Sequence, residues 1–378
     1  MNKPEKILLI GNYPPPMCGW AIQTKLTVDE LRRRGHVCEV LKINENRRVK
    51  SPEYVDVQHG LDYLRKVWRY ASRGYRFNVH VNGMSNKGYW LAMAAVLTGR
   101  VVGRPALVTF HGGLSQNYFP RYDRSLIRLE FSALFHIAGE IACDSTFIKA
   151  AIEKYGLRPN KVKAIPTFSL QYMQFQPVKL PPDIENFLQR HQPVIFSYVS
   201  FRPEYRLEVM REGMIRYRER YPNGGFIWLG FPAKEFPAAE EFVKNWPKDE
   251  REGLLLLGNV AHDEFLTLLA RSLLNLRTPA CDGVSASVLE SLALGVPVVA
   301  SENGKRPAGV LTYADTDATD MCQKLVYATE NYEELTSGLR SNRNGTAEED
   351  NIKLMADWLS GVLHSADDQH VPAPAQTV

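Results

Sequence analysis

The chain has 378 residues, 44% hydrophobic and 23% charged, the composition of a soluble globular protein and a length that suits two domains, each able to bury its own core. No apolar run reaches the roughly 20 residues of a bilayer-spanning helix, Ile7–Ile10 lacks the features of a secretory leader, and the cysteines at 18, 38, 143, 281 and 322 show neither zinc-site nor dithiol spacing, so a cytoplasmic protein with reduced thiols is expected. The net charge is +4, but residues 1–175 hold 26 Lys/Arg against 13 Asp/Glu and the rest 20 against 29, so the halves stand at +13 and −9 and the first is expected to meet an anionic partner.

Short β-rich runs recur with helix-like segments between them, which predicts parallel strands joined by crossover helices. The first, Ile7–Ile10, leads into Gly11-Asn-Tyr13-Pro14-Pro-Pro-Met-Cys18-Gly19 and a helix ending at Gly35-His36; these glycines do not have the spacing of a dinucleotide-binding turn. Strands at Val37–Leu41 and Asn78–Val81 follow, and between them lie Arg65-Lys66-Val67-Trp68-Arg69-Tyr70, Arg73, Tyr75, Arg76 and Phe77. Cations interleaved with aromatics suit an anionic membrane surface met by Arg65, Lys66, Arg69 and Arg73, or equally a solvated helix face with aromatics turned inward. No nucleic-acid motif accompanies the charge, and nucleic acid is not an expected partner. Leu107–Phe110 runs into His111-Gly112-Gly113, which puts a histidine at the carboxyl edge of a strand, where open α/β sheets bind ligands. A neutral imidazole there offers a donor and an acceptor to a hydroxyl. Strands at Glu140–Cys143 and Val162–Ile165 complete this half.

Residues 1–175 are thus expected as one Rossmann-like domain. Residues 176–193, with Pro177, Pro181, Pro182 and Pro193 among polar residues, read as a linker. The second domain, 194–348, has strands at Val194–Val199, Phe226–Leu229, Leu254–Leu257, Leu273–Leu276 and Val296–Ala300. Arg202 and Arg206 lie on the loop after the first of these, and Leu229-Gly230-Phe231 and Gly258-Asn259-Val260 end the next two. Ile352, Leu354, Met355, Trp358, Leu359 and Val362 have the spacing of a last helix, within 349–365. Residues 366–378 have the composition of a disordered tail.

The most informative segment is Pro279-Ala-Cys281-Asp282-Gly283-Val284-Ser285-Ala286-Ser287-Val288-Leu289-Glu290, continuing to Gly295-Val296-Pro297-Val-Val-Ala300. Ser285 suits an N-cap, Ala286–Leu294 a helix, Gly295 its left-handed C-terminal residue and Pro297 the entry to a buried strand. A polar loop feeding a helix N-terminus, with free amides at 286–288, is a site for a diphosphate. Glu290, about one turn on, is placed to accept from both ribose hydroxyls, and Asp282 to reach a sugar on the diphosphate.

This segment resembles the large retaining glycosyltransferase family of GT-B fold, the group 1 glycosyl transferases. The family's mark is two glutamates separated by seven residues and then a Gly-x-Pro-Val-Val-Ala run. Glu290 matches the second glutamate, Asp282 stands for the first with one methylene less reach, and the run at Gly295–Ala300 matches closely; the likeness continues diffusely from Ile7 to about Leu363. It implies two facing Rossmann-like domains, a C-terminal helix that crosses back, and an active site in the cleft. By the resemblance, Glu290 binds the donor ribose, Asp282 contacts the donor sugar and His111 faces that sugar across the cleft. Gly19 approaches donor phosphate or acceptor, while Gly283, Val284, Ser285, Ala286, Ser287 and Val288 carry the diphosphate. Arg206 occupies the place of a phosphate-binding lysine, and Arg202 substitutes for an arginine whose place Phe201 takes. Phe231, Asn259 and Val260 sit where the base is held. Cys18 and Thr167 depart from the family's loops.

The implied function is that of a retaining, metal-independent hexosyltransferase. It would move sugar from a UDP- or GDP-linked donor to a lipid-linked saccharide in exopolysaccharide or O-antigen assembly, peripherally docked on the inner membrane face. No cofactor or metal is expected, because helix amides and arginines meet the leaving diphosphate and no Asp-x-Asp motif is present. Front-face attack with the leaving phosphate as base is favoured, since no second carboxylate is evident at the anomeric centre. Two alternatives stay open: a weakly active or inactive sugar-nucleotide- or glycan-binding protein, for which Asp282, Phe201 and Thr167 speak, and a sugar-nucleotide epimerase.

Overall fold

Near-continuous apolar runs become strands buried on both faces, which is the condition for a parallel sheet. The computed structural model describes residues 4–15, 18–114, 116–122, 126–281, 285–343 and 350–361. In it β1 (Lys6–Gly11), β2 (Val37–Lys42), β3 (Arg76–Val81), β4 (Leu107–Phe110), β5 (Ile141–Cys143) and β6 (Val162–Ala164) pair in parallel in the order β2-β1-β3-β4-β5-β6. A second parallel sheet joins β7 (Val194–Tyr198), β8 (Gly225–Phe231), β9 (Leu254–Gly258), β10 (Leu274–Arg277), β11 (Val298–Ser301) and β12 (Val310–Tyr313) in the order β12-β11-β10-β7-β8-β9. Each of the eleven runs expected as strands is a strand. Only β12 escaped the sequence reading, because this edge strand is mostly half-buried and lacks a solid apolar run.

Side chains alternate across each sheet with period two. Leu8 and Ile10 pack under the helices Gly60–Ser72, Asn86–Val101, Leu126–Ile137 and Thr146–Glu153, while Ile7 and Leu9 face the helices Gly19–Arg33 and Asn351–Leu359. In the second sheet Ile195 faces the helices Leu207–Arg220 and Ala318–Glu330, and Val194 and Phe196 face Pro182–Arg190 and His262–Ala270.

Residues 176–193 are therefore more than a linker. Pro182 opens a helix at the position where its missing N–H costs nothing, Asp183 and Glu185 fall in the first turn, and Ile184, Phe187 and Leu188 bury against the second sheet. The last described helix, Asn351–Leu359, crosses back to the first half. There Met355, Ala356, Trp358 and Leu359 join the core beside β1, and Trp358 Nε1 donates to Glu140 Oε2 at 2.7 Å.

The strand orders fix where a ligand belongs. β1 lies between β2 and β3, and β7 between β8 and β10, so each sheet has a switch point at which successive connections run to opposite sides and leave a crevice at the carboxyl ends. The two crevices face each other.

Candidate functional site

Between the two switch points lies a cleft of ≈490 Å³. The first half lines it with Asn12, Cys18, Gly19, Trp20, Asn82, Asp144 and Thr167; the second with Tyr198, Arg202, Tyr205, Gly230, Asn259, Val260, His262, Phe265, Arg277, Ser285, Ala286, Ser287 and Glu290. All belong to strand ends or to the loops and helix starts that follow them.

The helix Ala286–Leu294 begins at the cleft with Ser285 as N-cap and ends at Gly295 in the left-handed conformation (φ +77°). Its anchoring is internal, through Asn275 Nδ2 donating to the Ser287 carbonyl at 3.1 Å. The first-turn amides of Ala286 and Ser287 thus stand at the cleft, where an anion is stabilised by donors and dipole together. Val288 does not belong with them: its N–H donates to the Ser285 carbonyl at 3.1 Å and its side chain is core. Asp282, Gly283 and Val284 lie outside the described residues. Gly19 meets this helix from the other half, since a Cβ there would stand 3.0 Å from Ala286 Cβ.

Glu290 lines the cleft one turn on, 3% exposed, with Oε1 2.9 Å from His262 Nε2. The ring nitrogen anchors one carboxylate oxygen and leaves the second for a ligand. Tyr198, Gly230, Asn259, Val260 and Phe265, mostly apolar, line the cleft as well. Gly230 is required there: its φ is +93° and any Cβ would enter the Tyr198 ring. Phe231 is not one of these residues. An irregularity in β8 between Leu229 and Phe231 breaks the alternation and turns Phe231 into the core of Phe226 and Trp228, against Phe201 and Phe236, fully buried.

Of the two expected arginines, one lines the cleft. Arg202 lines the cleft, with Nε 3.5 Å from Glu235 Oε1. Arg206 does not; it caps a helix in a left-handed conformation (φ +50°), and its Nη2 runs to Asp315 Oδ2 at 3.4 Å. Phe201 is an apolar plug packed on Phe231, Trp228 and Phe242. Arg277, which the sequence reading passed over, is the second cleft cation: 6% exposed, it donates to the Tyr198 carbonyl at 2.9 Å and lies over the Tyr198 and Tyr205 rings.

His111 is placed differently again. It is fully buried and does not line the cleft, because the Trp20 indole stacks on it with ring centroids 4.2 Å apart. Behind it runs a polar chain. Asn78 Nδ2 donates to Thr109 Oγ1 (2.9 Å), which leaves Asn78 Oδ1 to accept from His80 Nε2 (2.9 Å). His80 Nδ1 is then the acceptor for His111 Nε2–H at 3.2 Å. Burial and His111 hold the His80 pKa well below its usual value, so His80 is neutral. His111 Nδ1 is buried and without a hydrogen bond among the described residues, 3.6 Å from Asp144 Oδ1. Asp144 also accepts from Thr167 Oγ1 and lines the cleft.

Trp20, Asp144, His262 and Arg277 were missed, yet each sits where the strand-end rule applied to His111 points: after β1, β5 and β9 and at the end of β10.

On the outer face of the first half, the helix Gly60–Ser72 exposes Arg65 and Arg69, and Arg73 is exposed at its C-terminal cap, but Lys66 is paired with Asp62 at 2.8 Å and Asp56 at 3.3 Å and is withdrawn from the expected basic set. The same helix exposes Leu61, Leu64 and Trp68, the adjacent Asn86–Val101 exposes Trp90, Leu97 and Val101, and Leu126–Ile137 exposes Leu126 and Leu129. Tyr63 Oη donating to the Leu91 carbonyl and Tyr89 Oη to that of Glu130 tie the three into one surface. No helix among the described residues is long and apolar enough to cross a membrane.

Neither a family model nor a curated protein sequence matches the chain. Solved structures do match over nearly its whole length. HepE from Anabaena in complex with UDP-glucose aligns with TM-score 0.66 and 12% identity over 94% of this chain and 99% of that one. A glycosyltransferase from Rickettsia africae aligns with TM-score 0.65 and 14% identity over 96% and 100%. A protein described as a UDP-N-acetylglucosamine 2-epimerase from Listeria monocytogenes gives 0.64 and 14% over 97% and 98%. At such identities the likeness is one of architecture, and the chain has the GT-B fold: two facing Rossmann-like halves with a cleft between them.

Proposed function

We propose that the chain is a glycosyltransferase that moves a hexosyl group from a nucleoside diphosphate sugar to a saccharide acceptor. The observation that carries this reading is the first turn of Ala286–Leu294 open to the cleft, with Arg202 and Arg277 lining the same cleft and the buried Glu290 carboxylate one turn on. That is the arrangement a nucleoside diphosphate needs: amides and guanidinium groups for the charge that grows as the sugar leaves, and an acid for the ribose diol. The base would lie on the wall at Gly230, Asn259 and Val260. HepE, crystallised with UDP-glucose, supports a uridine donor over a guanosine one. Asp282 is kept as the contact to the donor sugar. Front-face retention is proposed on the resemblance, and the absence of a metal requirement on Arg202 and Arg277 in the cleft.

The acceptor is proposed to be lipid-linked, as in exopolysaccharide or O-antigen assembly. Its support is the surface of three helices on the +13 half, where outward Leu and Trp side chains alternate with Arg65, Arg69 and Arg73. Apolar side chains at headgroup depth with arginines beside them suit an anionic membrane face.

An epimerase remains the second reading, favoured by the Listeria structure of the same fold. A panel of UDP-, GDP- and ADP-sugars, scored for thermal stabilisation and for hydrolysis, tests the proposal. One nucleotide class should stabilise the protein and its sugar should be slowly released. Stabilisation by none would overturn the reading, and release of a changed sugar with its nucleotide still attached would favour the epimerase.

A further inference from the structure

The amino edge of the first sheet, at the far end of its strands from the cleft, carries a cavity of ≈330 Å³, within the roughly 300–1,000 Å³ that small ligands occupy. Arg76 opens β3, Arg104 and Pro105 precede β4, Gly139 and Glu140 precede β5, and Arg158 lies in the segment before β6. β3 is six residues long, so about 20 Å of sheet separates this cavity from the carboxyl ends. Three guanidinium groups thus meet one carboxylate at a place that the nucleotide reading does not use.

The cations there are not balanced. Arg76 is half-buried and, among the described residues, makes neither a hydrogen bond nor an ion pair, although Glu140 and Glu5 lie near enough to be felt. Burial accordingly pushes its pKa below the ordinary value, but a guanidinium keeps its proton, so an anion from outside is what offsets the buried charge. Glu140 is engaged elsewhere, its Oε2 accepting from Trp358 Nε1 at 2.7 Å. Arg158 is exposed and also unpaired among the described residues. Arg104 is held in place by Nη1, which donates to the Gly74 carbonyl at 2.7 Å; its other N–H groups have no partner among the described residues. A fourth cation, Lys161, is buried nearby and donates to the His136 carbonyl at 2.8 Å. Burial first, and then Arg158 and Arg100, bring its ammonium down to about 8, so the surroundings are positive beyond the cavity itself.

We propose that this cavity binds a phosphate group, held by Arg76, Arg104 and Arg158, at the edge of the first half away from the cleft. Guanidinium forks match phosphate oxygens two at a time, and three of them outweigh the single carboxylate. A soluble diphosphate and a lipid headgroup present the same chemistry, and the two arms of the test separate them. The inference stands apart from the glycosyltransferase reading, since it uses no residue of the cleft.

Calorimetry with inorganic diphosphate at low ionic strength tests it, in Arg277→Met protein so that the cleft contributes least. Diphosphate should bind that protein, and adding Arg76→Gln or Arg158→Gln should each weaken it roughly tenfold or more, the usual cost of losing a charged hydrogen bond. Sedimentation with phosphatidylglycerol vesicles is the second arm: vesicles bound without diphosphate, and released by the same two substitutions, assign the phosphate to a headgroup. Without ligand, Arg76→Gln should leave the Tm equal to or above that of its parent, because it removes an unpaired half-buried charge, and Arg158→Gln alters an exposed side chain; loss of binding in both is therefore not misfolding. Diphosphate and vesicle binding that both survive the two substitutions, or that are both missing in the parent, overturn the site. A lowered Tm in Arg76→Gln with binding kept makes Arg76 a structural partner of Glu140 and overturns it as well.

Discussion

Replacing Glu290 by Gln removes a charge while keeping the shape of the helix. The carboxylate is 3% exposed and one oxygen already accepts from His262 Nε2 at 2.9 Å, so a ribose bound as proposed would meet the other. A hydrogen bond to a charged acceptor contributes about 1.5–3 kcal/mol, and each 1.4 kcal/mol is about tenfold in affinity. Glu290→Gln is therefore expected to raise the Kd for the preferred nucleoside diphosphate by roughly 10- to 150-fold. Isothermal titration calorimetry against the nucleotide and its 2′-deoxy analogue separates this loss from a general one. Wild-type protein should discriminate against the deoxy compound, and Glu290→Gln should discriminate much less. Unchanged affinity in the variant, or full discrimination retained by it, would remove Glu290 from the ribose site.

Arg277→Met should lower donor turnover on the order of 10²–10³-fold, the usual cost of removing a donor aimed at developing charge, and single-turnover release of nucleoside diphosphate measures it. Gly19→Val should weaken nucleotide binding at least tenfold by driving a side chain against Ala286, whose Cβ is 3.0 Å from the nearest added carbon; unaltered calorimetric affinity would mean that the two halves can part there without loss. Because the folded state holds His80 neutral, the unfolded chain gains a proton that the folded chain cannot as pH falls below the ordinary value of 6.5. That part of the stability is present above pH 6.5 and drains away below it by at most about 1.4 kcal/mol per pH unit. His80→Gln should flatten the fall in unfolding free energy between pH 6.5 and 5, and equal slopes would contradict a neutral His80. The triple replacement of Arg65, Arg69 and Arg73 by Gln should abolish low-salt sedimentation with anionic vesicles, at about 1 kcal/mol for each charge, whereas a wild-type protein that never sediments refutes the membrane surface.

How much of this was legible in the sequence follows from the physics of each element. Strands buried on both faces announce themselves as apolar runs, and the helix at 286–294 carried its own start and stop in Ser285 and Gly295. β12 did not, because an edge strand needs little apolar character. The helix at 182–190 was masked by its prolines, although Pro182 at a first helical position favours helix rather than breaking it. Side-chain direction was the harder part. The loop after β7 was aligned by position, and nothing in that alignment tells that Arg206 turns to Asp315 while Arg277, on another strand, lies over Tyr198 and Tyr205. His111 stands out by its place at a strand end, but its burial depends on Trp20, which comes from the first turn of the helix Gly19–Arg33, some ninety residues earlier. Contacts between distant segments, which set what a strand-end residue touches, have no local signature.

Incubation with a radiolabelled sugar nucleotide and lipid extract from the producing cells reads whether the cleft transfers a sugar. One nucleoside diphosphate should be released for each labelled sugar that becomes solvent-extractable, with the anomeric configuration of the donor in the product. Nucleotide bound with no label moved, or label recovered only as an altered sugar nucleotide in the absence of extract, would contradict it.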